Sequence, residues 1–214
     1  MSLNTELAGV RDNFYANAPK SIVDPIRESV SSIKASYDPG TAIQVGAALP
    51  EFILTDALGN TVSSKTVLAN GPILITFYRG EWCPFCNLHL ASLQKHLAEF
   101  EAKGVTLVAI TPELPTKTLS MTEKQGLKFT VLSDTSNKYA RKLGIVWKMP
   151  ETLRPVFKTA GHDLIEGNGD DSFELPIPAS LLVDGKGVVR KTFVDPDYTK
   201  RLEPETALEW INTV

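Results

Sequence analysis

The chain has 214 residues, 43% of them hydrophobic and 22% charged, enough to bury a substantial core in one domain with elaborations. Its 22 Lys and Arg against 25 Asp and Glu leave a formal charge of −3, so nothing global favours nucleic acid or an anionic membrane as a partner. No apolar run is long enough to span a bilayer, and Glu6, Arg11 and Asp12 break up the N-terminus in a way foreign to secretory signals, so a soluble cytoplasmic protein is expected.

Residues 1 to about 40 carry helical spacing at Ile22, Ile26, Val30 and Ile33, ended by the breaker Asp38-Pro39-Gly40. A helical N-terminal extension is expected there, covering an edge of the core or contributing to a homodimer. A single catalytic domain is expected over residues 41–214. Within it, Pro50 to Leu54 and Thr61-Val62 flank Gly59-Asn60, the pattern of a short β-hairpin.

The run from Pro72 to Tyr78 is apolar, rich in β-branched and aromatic residues and preceded by Asn70-Gly71, which predicts a buried strand. Directly after it comes Trp82-Cys83-Pro84-Phe85-Cys86, which holds the only two cysteines of the chain. Pro84 suits the first position of a helix, making Cys83 its N-cap and Cys86 a first-turn residue. Cys86, Leu90, Leu93, Leu97 and Phe100 then recur at core-facing helical spacing up to a stop at Gly104.

Val105 to Ile110 predicts a second buried strand, giving a parallel strand-helix-strand unit and an α/β architecture. Further on, Thr118 to Gln125 predicts a helix, Phe129 to Leu132 a strand, and Asn137 to Leu143 a helix closed by Gly144. The segment from Ile145 to Ile177 is longer than an ordinary loop and is expected to cover a site or form an interface. Ala179 to Asp184 and Val188 to Val194 flank Gly185-Lys186-Gly187 as a hairpin, and a last helix begins at Pro204.

Thiol chemistry is the function these residues point to. A free thiol with a pKa near 8.5 is only about 3% thiolate at pH 7, whereas a helix N-terminus can lower that pKa to ~3.5–7.5. On helix geometry Cys83 is expected to be the more exposed sulfur. Arg79, four residues before it, is a candidate for cationic support, and Trp82 for shaping the rim. Structural zinc normally takes four ligands, and only His89 extends the cysteine pair at helical spacing, so no metal is expected. Asp170 and Asp171 read as acids solvating a turn rather than as metal ligands or catalysts, and His162 is likewise not expected to be catalytic.

Several motifs together carry a family resemblance: Gly46 to Phe52, Phe77-Tyr78-Arg79-Gly80-Glu81-Trp82-Cys83-Pro84-Phe85-Cys86, Val131-Leu132-Ser133-Asp134, and Pro178 before Ala179. They resemble the thioredoxin-like superfamily, and more closely its peroxiredoxin-like AhpC/TSA branch. The resemblance implies a thioredoxin-like fold, a central mixed sheet flanked by helices. It also implies thiol peroxidase activity on hydrogen peroxide or organic hydroperoxides, no cofactor, and a thiol reductant such as thioredoxin, glutaredoxin or glutathione. In the peroxiredoxin pattern Pro-x-x-x-Thr-x-x-Cys, Cys86 takes the cysteine position, Cys83 the threonine and Arg79 the proline. Where peroxiredoxins place a supporting arginine before the late strand, this chain has Pro178, the residue thioredoxins place there. The thioredoxin likeness implies a cis Ile177–Pro178 bond and, as an alternative function, protein disulfide reduction; a third alternative, from a non-enzyme class, is a redox-sensing binding module whose disulfide changes the N-terminal extension or the long insertion.

Overall fold

A computed structural model describes residues 1–214. Two helices come first, α1 (Leu3–Asn17) and α2 (Lys20–Ser36), followed by the hairpin β1 (Ile53–Asp56) and β2 (Thr61–Ser63) and the short α3 (Ser64–Leu68). Next come β3 (Ile73–Phe77), α4 (Pro84–Lys95), α5 (Leu97–Ala102), β4 (Thr106–Thr111), α6 (Pro115–Gln125), β5 (Thr130–Ser133) and α7 (Lys138–Lys142). The segment read as a long cover contains β6 (Val146–Lys148), α8 (Arg154–Thr159), α9 (Leu164–Asn168) and β7 (Glu174–Pro176). The chain ends with β8 (Ala179–Val183), β9 (Val189–Val194) and α10 (Pro204–Ile211).

Seven strands form one mixed sheet in the order β2-β1-β5-β4-β3-β8-β9. β3 and β4 pair in parallel, with Ile73 opposite Thr106 and Phe77 opposite Ile110, while β8 runs antiparallel to β3 on the other side. This is the α/β thioredoxin-like arrangement, with helices on both faces. The apolar runs of β3 and β4 are continuous because both strands are buried on two faces, and the two-residue period divides them between two cores. Leu74, Tyr78, Leu107 and Ala109 join a core that also holds Cys83, Cys86, Leu90, Leu93 and Phe100. Ile73, Ile75, Phe77, Val108 and Ile110 face the opposite core.

The N-terminal helix is embedded in this framework. Leu3 and Leu7 of α1 are buried in the core that contains the cysteines, and α1 packs against α4. Burying a leucine such as Leu7 contributes about 1.5–3 kcal/mol, so α1 is held by packing as well as by propensity. The segment between α7 and β8 is ordered by an antiparallel ladder pairing Val146 with Pro176 and Lys148 with Glu174, and by a small core of Met149, Leu153, Leu164 and Leu175.

Two expectations need correction. The helix after the cysteines is interrupted at His96, whose φ of −99° and ψ of 5° and N–H bond to Leu93 O tighten the chain between α4 and α5, although the whole apolar stripe stays buried. No peptide bond is cis, so Ile177–Pro178 is trans. There the Ile177 N–H bonds to Ile145 O at 2.7 Å, which carries the extended β6–β7 pairing up to Pro178.

Candidate thiol site

The site begins where β3 leaves the sheet. Tyr78 N–H still bonds to Ile110 O at 3.0 Å, and the chain then turns through Gly80 at φ 153°. A side chain at Gly80 would begin 2.4 Å from Trp82 Nε1 and 2.7 Å from Glu113 Oε1, so the turn requires glycine. Cys83 N–H closes it onto Gly80 O at 3.2 Å. Cys83 is then the N-cap of α4, its carbonyl accepting from Cys86 N–H at 3.0 Å and Asn87 N–H at 3.1 Å, with Pro84 in the first turn as expected.

Neither sulfur is exposed at the surface, contrary to the expectation for Cys83: the residues are 1% and 0% accessible. Helix geometry alone leaves an N-cap open, but here α1, α2 and the segment from β6 to β7 roof it over. The two thiols are free rather than bonded to each other. They differ in surroundings. Cys83 lines a cleft, whereas Cys86 points into the core beside Arg201, whose Nη2 lies 3.1 Å from Cys86 Sγ. The other guanidinium nitrogen donates to Tyr198 O at 2.5 Å and Lys200 O at 2.6 Å, which fixes the head of Arg201 against the sulfur.

Arg79 is also turned inward. Its guanidinium lies 4.3 Å from the ring centroid of Tyr198, 4.8 Å from that of Trp82 and 5.9 Å from that of Phe157, a cation held among aromatic faces. No carboxylate pairs with Arg79 or Arg201. The charges sort the two thiols. Burial opposes ionisation of Cys86, but the hydrogen bond from Cys83, the cations of Arg201 and Arg79, and the Arg79 backbone N–H outweigh it and hold its pKa well below the ordinary thiol range. Burial and the same thiol-thiol hydrogen bond push Cys83 well above that range. The surroundings thus act on the two thiols in opposite directions, drawing Cys86 toward the thiolate and Cys83 toward the thiol.

The cleft in front of Cys83 has a volume of about 490 Å³ and is mostly apolar. Arg79, Trp82, Phe157 and Pro178 line it together with Cys83. The stripe Ile22, Ile26, Val30 and Ile33 of α2 forms the facing wall. All five residues singled out in the sequence, Arg79, Trp82, Cys83, Cys86 and Pro178, thus meet in one region, Cys86 one layer behind the cleft wall.

Trp82 separates this cleft from a polar recess of about 330 Å³ that includes Glu113, Lys117, Asn87 and His162. Glu113 accepts the Glu81 N–H at 2.9 Å, yet burial raises its carboxyl to a pKa of about 8. His162, for which no catalytic role is expected from sequence, packs on Trp82 and Phe157 at the rim of both spaces. Asp170 accepts from Ser172 N–H and Oγ at 2.9 and 2.5 Å, a turn residue as expected. His89 is buried in α4 with neither ring nitrogen paired, and burial together with Arg201 keeps it neutral.

Sequence reasoning missed Arg201 and Glu113. Glu113 had a signal available, an acid just beyond the C-terminal end of a buried strand, where α/β proteins gather their sites. Arg201 had none, since 115 residues separate it from Cys86.

The chain is 30% identical over 105 residues to peroxiredoxin bcp of Buchnera aphidicola, covering 49% of this chain and 66% of that protein. It is 25% identical over 145 residues to the chloroplastic peroxiredoxin Q of Gentiana triflora, covering 68% of this chain and 63% of that protein. The chain therefore spans a little under two thirds of each relative. The crystal structure of peroxidoxin BcpB from Mycobacterium tuberculosis superposes with a TM-score of 0.64 at 16% identity, covering 80% of this chain and 98% of that one, a likeness of fold. Residues 45–192 match the model of the AhpC/TSA family, and the chain belongs to that family.

Proposed function

We propose that this protein is a thiol-dependent peroxidase of the peroxiredoxin type, working through Cys83 and Cys86. The observation that carries the reading is the Arg201 guanidinium 3.1 Å from Cys86 Sγ, a cation that favours the thiolate form of that sulfur. A buried thiolate prepared in this way is the nucleophile that O–O cleavage requires. The thiolate attacks one peroxide oxygen, the O–O bond breaks, and the leaving oxygen departs as water or an alcohol after taking up a proton. The sulfur becomes a sulfenic acid. Its partner thiol then attacks that sulfur, forming a Cys83–Cys86 disulfide and releasing water. Two electrons have passed from the thiols to the peroxide, and an external thiol such as thioredoxin, glutaredoxin or glutathione restores them.

The register of Cys86 with the peroxidatic cysteine of peroxiredoxins and its depressed pKa support Cys86 as the attacking sulfur. Arg79 adds positive charge, Trp82 walls the cleft, and its apolar lining favours organic hydroperoxides beside hydrogen peroxide. No helix is long and apolar enough to cross a membrane.

Rapid mixing of the reduced protein with hydrogen peroxide and with cumene hydroperoxide, followed by Trp fluorescence, tests this. Fast oxidation that survives in Cys83→Ser and is lost in Cys86→Ser is expected; a rate no faster than that of a free thiol overturns it. One observation favours a second reading, disulfide exchange: Cys83, and not Cys86, shares the cleft wall with Pro178. Reduction of insulin disulfides faster than peroxide turnover moves that reading to first place.

A further inference from the structure

We infer that the N-terminal helix is a working part of the thiol site, with Asn4 acting as the positioning residue that holds Arg201 against Cys86. Arg201 lies between β9 and α10, outside any regular element, so no ladder or helix holds its backbone. Its only backbone hydrogen bonds are to the Asn4 side chain. Asn4 Nδ2 donates to Arg201 O at 2.8 Å, and Asn4 Oδ1 accepts from Arg201 N–H at 3.2 Å. One amide thus meets both the donor and the acceptor of one residue, as a neighbouring strand does.

Asn4 is itself held. Glu203, two residues beyond Arg201, accepts the N–H groups of Leu3 and Asn4 at 2.8 Å each and the Asn4 side-chain amide at 2.8 Å. The first turn of α1 has unpaired N–H groups and a partial positive charge, so a carboxylate there caps the helix. Leu3 and Leu7 anchor that turn in the core shared with Cys86. The result is a closed circuit from the core through α1, Asn4 and Arg201 to the sulfur.

An arginine side chain is long and rotatable, and its effect on a thiolate falls off within a few ångströms. The Tyr198 and Lys200 carbonyls that hold its head belong to the same loop, so releasing the Arg201 backbone lets that loop and the head shift together, and the thiolate loses its nearest cation. The N-terminal extension thereby tunes the reactive sulfur through a contact with the other end of the chain.

This inference rests on Cys86 carrying the charge, and a titration separates the two claims without peroxide turnover. The thiolate ultraviolet absorbance of Cys86 is followed against pH in Cys83→Ser protein, so that one thiol reports. If the midpoint with Asn4 intact is that of an ordinary cysteine, the reading of the site fails. If it is low, Asn4→Ala is expected to raise it by about one unit, a tenfold loss of thiolate at pH values below the midpoint. Arg201→Gln is expected to raise it further, and Asn4→Ala added to Arg201→Gln to change nothing more. Leu143→Ala, in the opposite core, weakens the fold without touching α1 or the clamp and is expected to lower the melting temperature while leaving the midpoint in place. Should Asn4→Ala misfold, Glu203→Gln, which keeps the acceptor but removes the charge, is expected to give a smaller upward shift. An unmoved midpoint, an Asn4→Ala shift that persists without Arg201, or an equal shift in Leu143→Ala overturns the inference.

Discussion

The inner and outer sides of the cysteine pair are built for different tasks. On the inner side, Cys86 faces Arg201, the first turn of α1 and the core. On the outer side, Cys83 faces the apolar cleft walled by α2, Trp82, Phe157 and Pro178. Two residues of one helical turn thus see a fixed cation and an open space. On the proposed reading, the charge lies where solvent cannot screen it and entry lies where the wall is apolar. The difference teaches that reactivity and access can be set by separate parts of the chain, the C-terminal segment for one and α2 with the β6–β7 segment for the other.

The strongest way to break this comparison is to exchange the sulfurs. Cys86→Ser is expected to lower peroxide turnover by about 10³-fold or more, the loss typical of a removed nucleophile. Cys83→Ser is expected to permit the first oxidation and block the disulfide, leaving a sulfenic acid that dimedone labels. Equal loss of the first oxidation in both variants removes the division of labour.

Glu113 tests how strongly the inner side depends on a second charge staying away. With an ordinary pKa near 4.5 and a folded value of about 8, it is protonated in both states at low pH. Between these values the unfolded chain releases the proton and the folded one keeps it, so stability falls as pH rises through that window and levels off above it. At ~1.4 kcal/mol per pKa unit the decline amounts to a few kcal/mol, and Glu113→Gln is expected to flatten it in denaturant titrations at pH 5 and pH 8.5. An unchanged slope assigns the decline to another group.

Next in size is the pH dependence of the reaction. Because the Cys86 pKa is depressed, the oxidation rate is expected to be level near neutrality and to fall as pH drops through that lowered pKa. Arg201→Gln should move this fall upward by about one unit or more, read from rapid-mixing rates across pH. Arg79→Gln should move it less, since Arg201 ranks above Arg79 among the cations acting on Cys86. A larger effect at Arg79 would reverse the assignment of charge to the inner side.

The smallest change concerns the outer wall. Ile26→Trp narrows the cleft without touching either sulfur and is expected to slow cumene hydroperoxide by about tenfold while leaving hydrogen peroxide within about twofold. Equal slowing of both peroxides would mean that the cleft is not the route of entry.

Much of the architecture was legible along the chain because its determinants are local. Pro84 after Cys83 marked the start of α4, the β-branched runs marked β3 and β4, and Gly185-Lys186-Gly187 marked the β8–β9 hairpin. The cysteine spacing carried the thiol chemistry in the same way, since a strand running into a helix start is a short-range pattern. The stripe of α2 was legible as helix but not as cleft wall, because an apolar face reads the same whether it meets a core or a cavity. What surrounds the sulfurs was decided at long range. Burial of Cys83 depends on α1, α2 and the β6–β7 segment closing over an N-cap that local geometry leaves open. The pairing of Ile177 with Ile145 just before Pro178 joins residues far apart in sequence, and no neighbouring residue reveals it. The sequence by itself determined the sheet, the helix start and the reactive residue type, because propensity, capping and hydrophobic period act over a few residues. Only the tertiary structure decided which sulfur lies against a cation, because Arg201 reaches Cys86 from 115 residues away and is met by Asn4 from the other end of the chain, and electrostatic and hydrogen-bond forces act on distance in space rather than on separation in sequence.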